Sequence, residues 1–348
     1  MTLDTAAFEQ QAAWCRQLGS NFTAQVLDAL TNTLDETTRT GRTVVNWAGA
    51  AGPLKDVVPL RLTGALHALV LAGKAPDLAQ LYPPNAPSST AKLSACIDAT
   101  MRKHDAEILS FLSHAPQTNE VARSSLLIAG LAAVTSETGT PINLYEIGAS
   151  GGLNLNLEKY AHQQDGQILG DAQSSVQLKP EWTGKPPAAM PRIATRSGCD
   201  LNPIDVTKTD QATRLLSYIW PDQPDRLKRT KAAISITQSH PPKLDTTDAA
   251  DWVETICAQE PNPNHTRVLM HSIAWQYMPE KVQNRITKSM MATGAKATAS
   301  TPLAWLAFEL NDAGKAQLTL QLWPGDGIKR VLADANPHVH NVYWKGLG

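Results

Sequence analysis

Apolar side chains recur at helical spacing through the first 140 residues, then give way to short apolar runs alternating with helical stretches. Phe8, Ala12, Cys15 and Leu18 mark one amphipathic helix, and Phe22, Val26, Leu30 and Leu34 a second. Gly19-Ser20-Asn21 separates them, with glycine supplying a left-handed helix end and serine or asparagine a cap for the next helix. The same periodicity predicts helices over 59–72, 92–112 and 118–137, the second carried by Leu93, Ile97, Met101, Ile108 and Leu112. The stretch 82–89 holds too many prolines for a helix and is expected to be a surface loop. No strand is predicted before Pro141.

Beyond Pro141 the pattern predicts strands over 142–147, 192–197, 267–271, 304–310 and 317–323. Helices are predicted over 211–218, 226–236, 249–258 and 279–293, with Asp210 and Asp248 placed to cap two of them. Strands alternating with helices form a mostly parallel sheet. A length of 348 residues suits two domains. We expect an all-α domain over 1–140 and a Rossmann-like, methyltransferase-type α/β domain over 141–348. The latter would carry an insertion at about 163–191, with 167–187 as a lid, and an antiparallel edge from 317–323 and 340–344.

Charge removes several classes of partner. Thirty-one basic and 32 acidic residues give a formal charge of -1, so no basic surplus exists for nucleic acid or an anionic membrane. The four cysteines, Cys15, Cys96, Cys199 and Cys257, form no Cys-x-x-Cys pair, which points away from a zinc site or disulfide framework and toward a cytoplasmic setting. The first twenty residues carry acidic side chains before their first base and do not read as a signal peptide. No stretch approaches the roughly 20 apolar residues that span a bilayer. The expected partner is a small molecule, and the pattern leaves the oligomeric state open.

The candidate chemistry centres on Glu146-Ile147-Gly148-Ala149-Ser150-Gly151-Gly152, where an apolar strand runs into small residues before Leu153-Asn154-Leu155. Such a turn lets a ligand lie against bare backbone, and free N–H groups at a helix start just beyond it would favour a polar or anionic group. Gly-x-Gly-x-x-Gly fails here, because positions 150 and 153 are Ser150 and Leu153. No phosphate-binding Gly-Lys-Ser/Thr occurs either. The spacing acidic-x-Gly-x-Gly-x-Gly, typical of S-adenosylmethionine-dependent methyltransferases, is met by Glu146, Gly148 and Gly152, with Ser150 the departure. A positive φ at Ser150 would cost on the order of 1–2 kcal/mol. Gly148 to Gly152 also satisfies Gly-x-Ser-x-Gly, the nucleophile elbow of α/β-hydrolases, although an elbow on the first strand of a sheet is out of place. Tight packing of a strand on a helix is the third reading.

Open α/β sheets bind ligands beyond the carboxyl ends of their strands. Asp200 lies just past the second predicted strand, placed to accept ribose hydroxyls, with Asp205 as a backup acid; both also suit turn and cap chemistry. Gly152 and Asp200 are 48 positions apart, against the usual separation of about 20, so the assignment needs the insertion. His271 ends the 267–271 strand and is the candidate general base, while Trp275 and Tyr277 offer aromatic faces to a sulfonium. Taken singly, each also suits a packed core, as a hydrogen-bonded histidine and two packing aromatics. Asn119, Glu120 and Arg123 open the 118–137 helix as caps or as side chains leaning over the cofactor; Ala149 and Asn154 complete the expected cofactor contacts. Cys96 with Arg102 has phosphatase-like spacing and Trp220-Pro221-Asp222 copies a phosphatase loop, but the cysteine sits in a helical pattern. His338-x-His340 lacks further ligands at diagnostic spacing, so no metal is expected.

Taken together, Arg61-Leu62 with Leu66-His67, Gln117-Thr118-Asn119-Glu120-Val121, the segment Glu146 to Leu155, Gly198-Cys199-Asp200-Leu201, Trp220-Pro221-Asp222-Gln223, His271-Ser272, Thr301-Pro302-Leu303-Ala304-Trp305-Leu306 and Leu322-Trp323-Pro324-Gly325 resemble the bacterial domain of unknown function 2332 family. The resemblance covers nearly the whole chain and implies that its two parts travel together, while bringing no activity with it. The functional expectation is therefore a methyltransferase using S-adenosylmethionine and no metal. Its site would lie between the two domains, with Glu146, Gly148, Ser150, Gly152 and Asp200 on the cofactor. The rivals are a hydrolase using Ser150 and a non-catalytic binding protein on the same fold.

Overall fold

The computed structural model describes residues 5–52, 55–85 and 89–347. The first four residues of the amino-terminal segment, and 86–88 of the proline-rich loop, lie outside the described residues. The chain divides into two compact units, one of Met1–Thr118 with Lys208–Lys228, the other of Asn119–Thr207 with Arg229–Gly348.

In the first unit the helices are α1 (Thr5–Gln17), α2 (Asn21–Thr33), α3 (Arg39–Val45), α4 (Val58–Leu71), α5 (Pro76–Ala79), α6 (Thr90–Lys103) and α7 (Asp105–Leu112). Phe8, Ala12, Cys15, Val26, Leu30, Leu62, Leu66, Leu93, Ile97 and Ile108 form one core. Leu18 does not join it: α1 ends at Gln17, Gly19 turns to φ 85°, and Leu18 is 66% exposed. The single helix expected over 92–112 breaks at His104, because the Asp105 carboxylate is spent on the backbone N–H groups of Arg39 and Thr40, opening α3. Asp222 does the same for α2, accepting from Phe22 N at 2.9 Å and from the Ser20 hydroxyl. Ser20 therefore holds the N-cap position without its side chain capping a backbone N–H of α2, its hydroxyl meeting that helix only at the Thr23 hydroxyl. This explains why 208–228, with α9 (Thr209–Ser217), belongs to the helical unit rather than to the sheet. Asp210 sits in the first turn of α9 and does not cap it.

The second unit begins with a 3₁₀ turn at Val121–Arg123 and α8 (Ser124–Thr138). Every residue of α8 from Ser124 to Val134 is buried. A helix apolar all round requires a covered site, and α8 finds it on the sheet, with Gly130 so close that a Cβ there would stand 2.5 Å from Leu306 Cδ1. The helical expectation for this segment holds; its place is with the sheet.

The strands are β1 (Ile142–Ile147), β2 (Ala161–Gln164), β3 (Gln167–Gly170), β4 (Gln177–Leu178), β5 (Glu181–Thr183), β6 (Ile193–Asp200), β7 (Lys243–Thr246), β8 (Thr266–Ser272), β9 (Leu303–Leu310), β10 (Ala316–Trp323), β11 (Arg330–Ala335) and β12 (Asn341–Trp344). Nine of them form one sheet in the order β5-β12-β11-β10-β9-β8-β1-β6-β7. From β9 to β7 all pairings are parallel, while β9 through β12 run antiparallel. The sheet is thus mostly parallel with an antiparallel section from the carboxyl-terminal strands, and β5 closes that side parallel to β12. The expected insertion supplies β5 and a separate sheet of order β3-β2-β4. The remaining helices are α10 (Pro224–Ser239), α11 (Ala249–Ala258) and α12 (Glu280–Gly294). Asp248 caps α11 through Ala250 and Asp251 N–H, as its position predicts.

Alternation divides the two faces. Ile142, Leu144, Val268, Met270, Leu306 and Phe308 pack with α8, whereas Tyr145, Ile147, Leu269, Leu303 and Trp305 pack with α11 and α12. Each such side chain contributes about 1.5–3 kcal/mol on burial. At β1 the chain order reverses, with β6 and β7 on one side and β8 and β9 on the other, and the crevice beyond that point is where such sheets take ligands.

Candidate functional site

β1 delivers Glu146 and Ile147 into the bend. Gly148, Ser150 and Gly152 then adopt φ values of 66°, 52° and 68°. Glycine is demanded at the two outer positions: a Cβ at 148 would lie 2.7 Å from the Ala274 Cβ, and one at 152 lies 2.7 Å from Pro242 Cγ. Ser150 occupies the left-handed region with a side chain, the conformation that the methyltransferase spacing fills with glycine, at a cost of about 1–2 kcal/mol. After Gly152 the chain enters a 3₁₀ segment, Leu153–Lys159, kinked at Asn156, and not a regular helix.

Most of the amides expected to be free in this bend are already paired. Gly148 N–H is directed at the Cys199 sulfur, Ala149 N–H donates to Cys199 O at 3.0 Å, and Ser150 N–H to Asp200 Oδ2 at 3.0 Å. Gly152 N–H closes the turn on Ala149 O, and Leu153 N–H donates to Asn119 Oδ1 at 2.9 Å. The reason is packing: Ala149 to Leu157 are buried, and buried backbone donors must be paired. Gly148 alone is exposed.

What the bend leaves unpaired is oxygen. Glu146 Oε2 and Ser150 Oγ are buried without a hydrogen-bond partner. Burial pushes the Glu146 carboxyl well above its ordinary range, and the charge of Asp200 adds to this, with Arg123 opposing both. Asp200 ends β6, one oxygen holding Ser150 N–H and the other Asn202 N–H at 2.9 Å. Asp205 is one turn further on, closing a local turn through Thr207 N–H and hydroxyl.

The residues expected at the start of the 118–137 helix gather here. Asn119 anchors Leu153, and Asn154 accepts from the Ser124 hydroxyl at 2.8 Å. Glu120 is buried; it accepts from Ala122 N–H and meets Arg229 at 3.4 Å and His338 at 3.1 Å. Arg123 donates to the carbonyls of Ser272 and Pro337, both at 3.1 Å, bracing the end of β8. Arg229 carries no local motif that would mark it for the site from sequence, and His338 stands out there only through its His-x-His spacing with His340.

His271 lies on the other face, since its neighbour Met270 pairs with Glu146 and packs toward α8. Its ring is 2% exposed and both nitrogens are engaged: Nδ1 with Glu309 Oε1 at 2.7 Å, Nε2 with the Trp305 indole N–H at 2.9 Å. An indole can only donate, so Nε2 accepts and Nδ1 carries the proton. A base at this position would first have to give up Trp305. Trp275 stacks on His271 with centroids 5.2 Å apart, and Tyr277 is 77% exposed. Glu309, which sequence alone does not single out, organises this cluster, its Oε1 also accepting from Ala274 and Trp275 N–H. Inspection of every strand end finds it, because β9 terminates one residue later.

Fold and site together define a mixed α/β protein with a mostly parallel sheet, a helical unit, and a buried acid, Glu146, at a positive-φ turn on the central strand. The chain belongs to the family described as uncharacterized proteins conserved in bacteria, the domain of unknown function 2332, whose profile matches residues 5–344. No curated protein and no solved structure matches it. Among the described residues, no helix is long and apolar enough to cross a membrane, and no three His, Cys, Asp or Glu side chains gather as a metal site.

Proposed function

We propose that the protein is an S-adenosylmethionine-dependent methyltransferase acting on a small-molecule acceptor. The carrying observation is the buried Glu146 with the half-buried Asp200 beside the exposed Gly148, at the point where strand order reverses. With most backbone donors of the bend spent, these carboxyl groups suit a ligand rich in donors and positive charge, and disfavour phosphate. An ammonium, a sulfonium and two ribose hydroxyls meet that demand, so the residues present fit the cofactor. The parallel order β7-β6-β1-β8-β9 supports a Rossmann-like reading of the sheet.

In this reading Glu146 holds the cationic amino-acid portion, Gly148 lets the ligand approach bare backbone, and Asp200 receives ribose hydroxyls on its remaining lone pairs. Bound there, the cofactor supplies an electrophilic methyl group. Asn119 and Arg123 are positioning residues, fixing the bend and the end of β8. The hydrolase alternative fares worse: Ser150 Oγ has no base in hydrogen-bond contact, and the histidines His271 and His338 are bonded to Glu309 and Glu120.

Thermal-shift and calorimetric titration with S-adenosylmethionine and S-adenosylhomocysteine test the proposal. Ligand at 100 times Kd should add about 2.7 kcal/mol of stability, and Asp200→Ala should weaken binding at least tenfold. Absence of binding by either ligand at millimolar concentration overturns it.

A further inference from the structure

We infer that the cleft between α12 and the exposed face of β9 and β10 is a binding site for an organic ammonium, separate from the Gly148 bend. The cleft encloses about 610 Å³, and its lining includes Trp275, Trp305, Glu309, Gln317, Thr319 and Gln321. That volume falls within the range of about 300–1,000 Å³ typical of small-molecule sites.

The polar groups of the cleft decide what it can hold. Gln283 spends its amide N–H groups on the carbonyls of Trp275 and Met278, Gln321 donates to Gly327 O at 2.8 Å, and Gln317 donates to Asp334 at 2.8 Å. These acceptors are carbonyls and a carboxylate, so the orientation of each amide is dictated by its partner. The hydroxyls of Thr319 and Thr287 likewise donate to backbone carbonyls. Beside the amides of Asn284 and Asn311 and the ammonium of Lys329, the lining retains the oxygens of these groups and the two carboxylates of Glu309 and Asp312, an acidic surplus that suits a ligand that donates.

Charge narrows the class. Among the described residues Glu309 has an ion-pair contact with His271 alone, and His271 accepts from Trp305 on Nε2, which leaves Nδ1 as the nitrogen facing Glu309 with the proton. Oε1 has three N–H partners, while Oε2 is buried with none. A carboxylate lodged at a cleft wall without a cationic partner is a costly arrangement that a bound cation relieves. The half-buried Trp275 and the Trp305 indole beside it favour a carbon-bearing cation over a bare metal ion. An ammonium has donors and no acceptor, which matches the lining.

Tryptophan fluorescence and calorimetry with putrescine and cadaverine, each against its uncharged isostere, 1,4-butanediol or 1,5-pentanediol, test the inference. At least one cation should bind ten times or more tighter than its isostere. Glu309→Gln keeps one carbonyl oxygen for the three N–H donors and puts an amide nitrogen in place of the free oxygen. It should leave the melting temperature close to that of the native protein and weaken the bound cation at least tenfold. Trp275→Leu, at a half-buried position, should weaken it comparably. Equal binding of cation and isostere, no binding of either cation, or full binding by both variants overturns the site. The readouts use neither S-adenosylmethionine nor turnover, so they stand apart from the methyltransferase proposal.

Discussion

β1 and β8 are neighbours in the sheet and end side by side, yet their carboxyl ends are finished in opposite ways. At the end of β8 the His271 ring is saturated, with an indole on one nitrogen and a carboxylate on the other. At the end of β1, Glu146 and Ser150 keep buried oxygens without partners on a bend that turns three residues to positive φ. A saturated cluster stabilises the fold, whereas unpaired buried oxygen and backbone strain cost stability and persist where a site needs them. Under the proposed reading the contrast puts cofactor chemistry at β1 and leaves the His271 ring at β8 as an anchor, beside the one free oxygen of Glu309. It also shows why residue type alone misleads: histidine at a strand end drew attention, but its bonds make it a support.

The largest effect should come from breaking the saturated end. His271→Ala strands the Trp305 N–H and removes a donor from Glu309 in a buried setting, and it opens a cavity beside two indoles. The combined loss should be about 3–5 kcal/mol, read by urea denaturation. A loss below about 1 kcal/mol would show that the β8 cluster is not an anchor.

Gly148→Ala tests the other end. The new methyl group meets Ala274 at 2.7 Å on a backbone with φ 66°. The left-handed cost of about 1–2 kcal/mol and overpacking of about 1–3 kcal/mol add, so about 2–5 kcal/mol should be lost. An unchanged denaturation midpoint would mean that the bend is not held as described.

These two positions mark what was legible in the sequence. The small-residue bend and its strand were readable because apolar run, acid and glycines are contiguous. The core strands β1, β8, β9 and β10 were readable because each has an apolar face to repeat. β7, Lys-Leu-Asp-Thr, has one apolar residue and lies at the sheet edge, so no alternation betrays it. The satisfaction of the bend's amides was also hidden: Asn119 and Asp200 reach it from 34 and 50 residues away, and no local pattern encodes such partners. The same holds for Asp222 at the start of α2, which assigns 208–228 to the helical unit.

Glu146 should impose a pH signature of its own. Its carboxyl is raised above the ordinary value of 4.5, so the folded state holds the proton more tightly than the unfolded chain. Its contribution to stability is present below 4.5 and is lost as pH rises toward the folded value. Subtracting the profile of Glu146→Gln, which cannot titrate, isolates this slope, at most about 1.4 kcal/mol per pH unit. Parallel profiles for the two proteins would show that Glu146 is not held as a buried acid. Bound S-adenosylmethionine, whose cation favours the ionised form, should flatten the native slope.

Ser150→Gly should have the smallest effect and the opposite sign. At φ 52° a serine carries a left-handed cost of about 1–2 kcal/mol, offset by about 0.5–1 kcal/mol of added chain entropy in glycine. The Asp200 contact is made by the backbone N–H and survives the change. Stability should rise by about 0.5–1 kcal/mol, and the acidic-x-Gly-x-Gly-x-Gly spacing becomes complete. Binding of S-adenosylmethionine should hold or improve if the serine hydroxyl is incidental to the cofactor. A hydrolytic serine gives the reverse result, since its removal abolishes turnover while leaving cofactor titrations blank. This one substitution therefore separates strain carried for the cofactor bend from strain carried for a nucleophile.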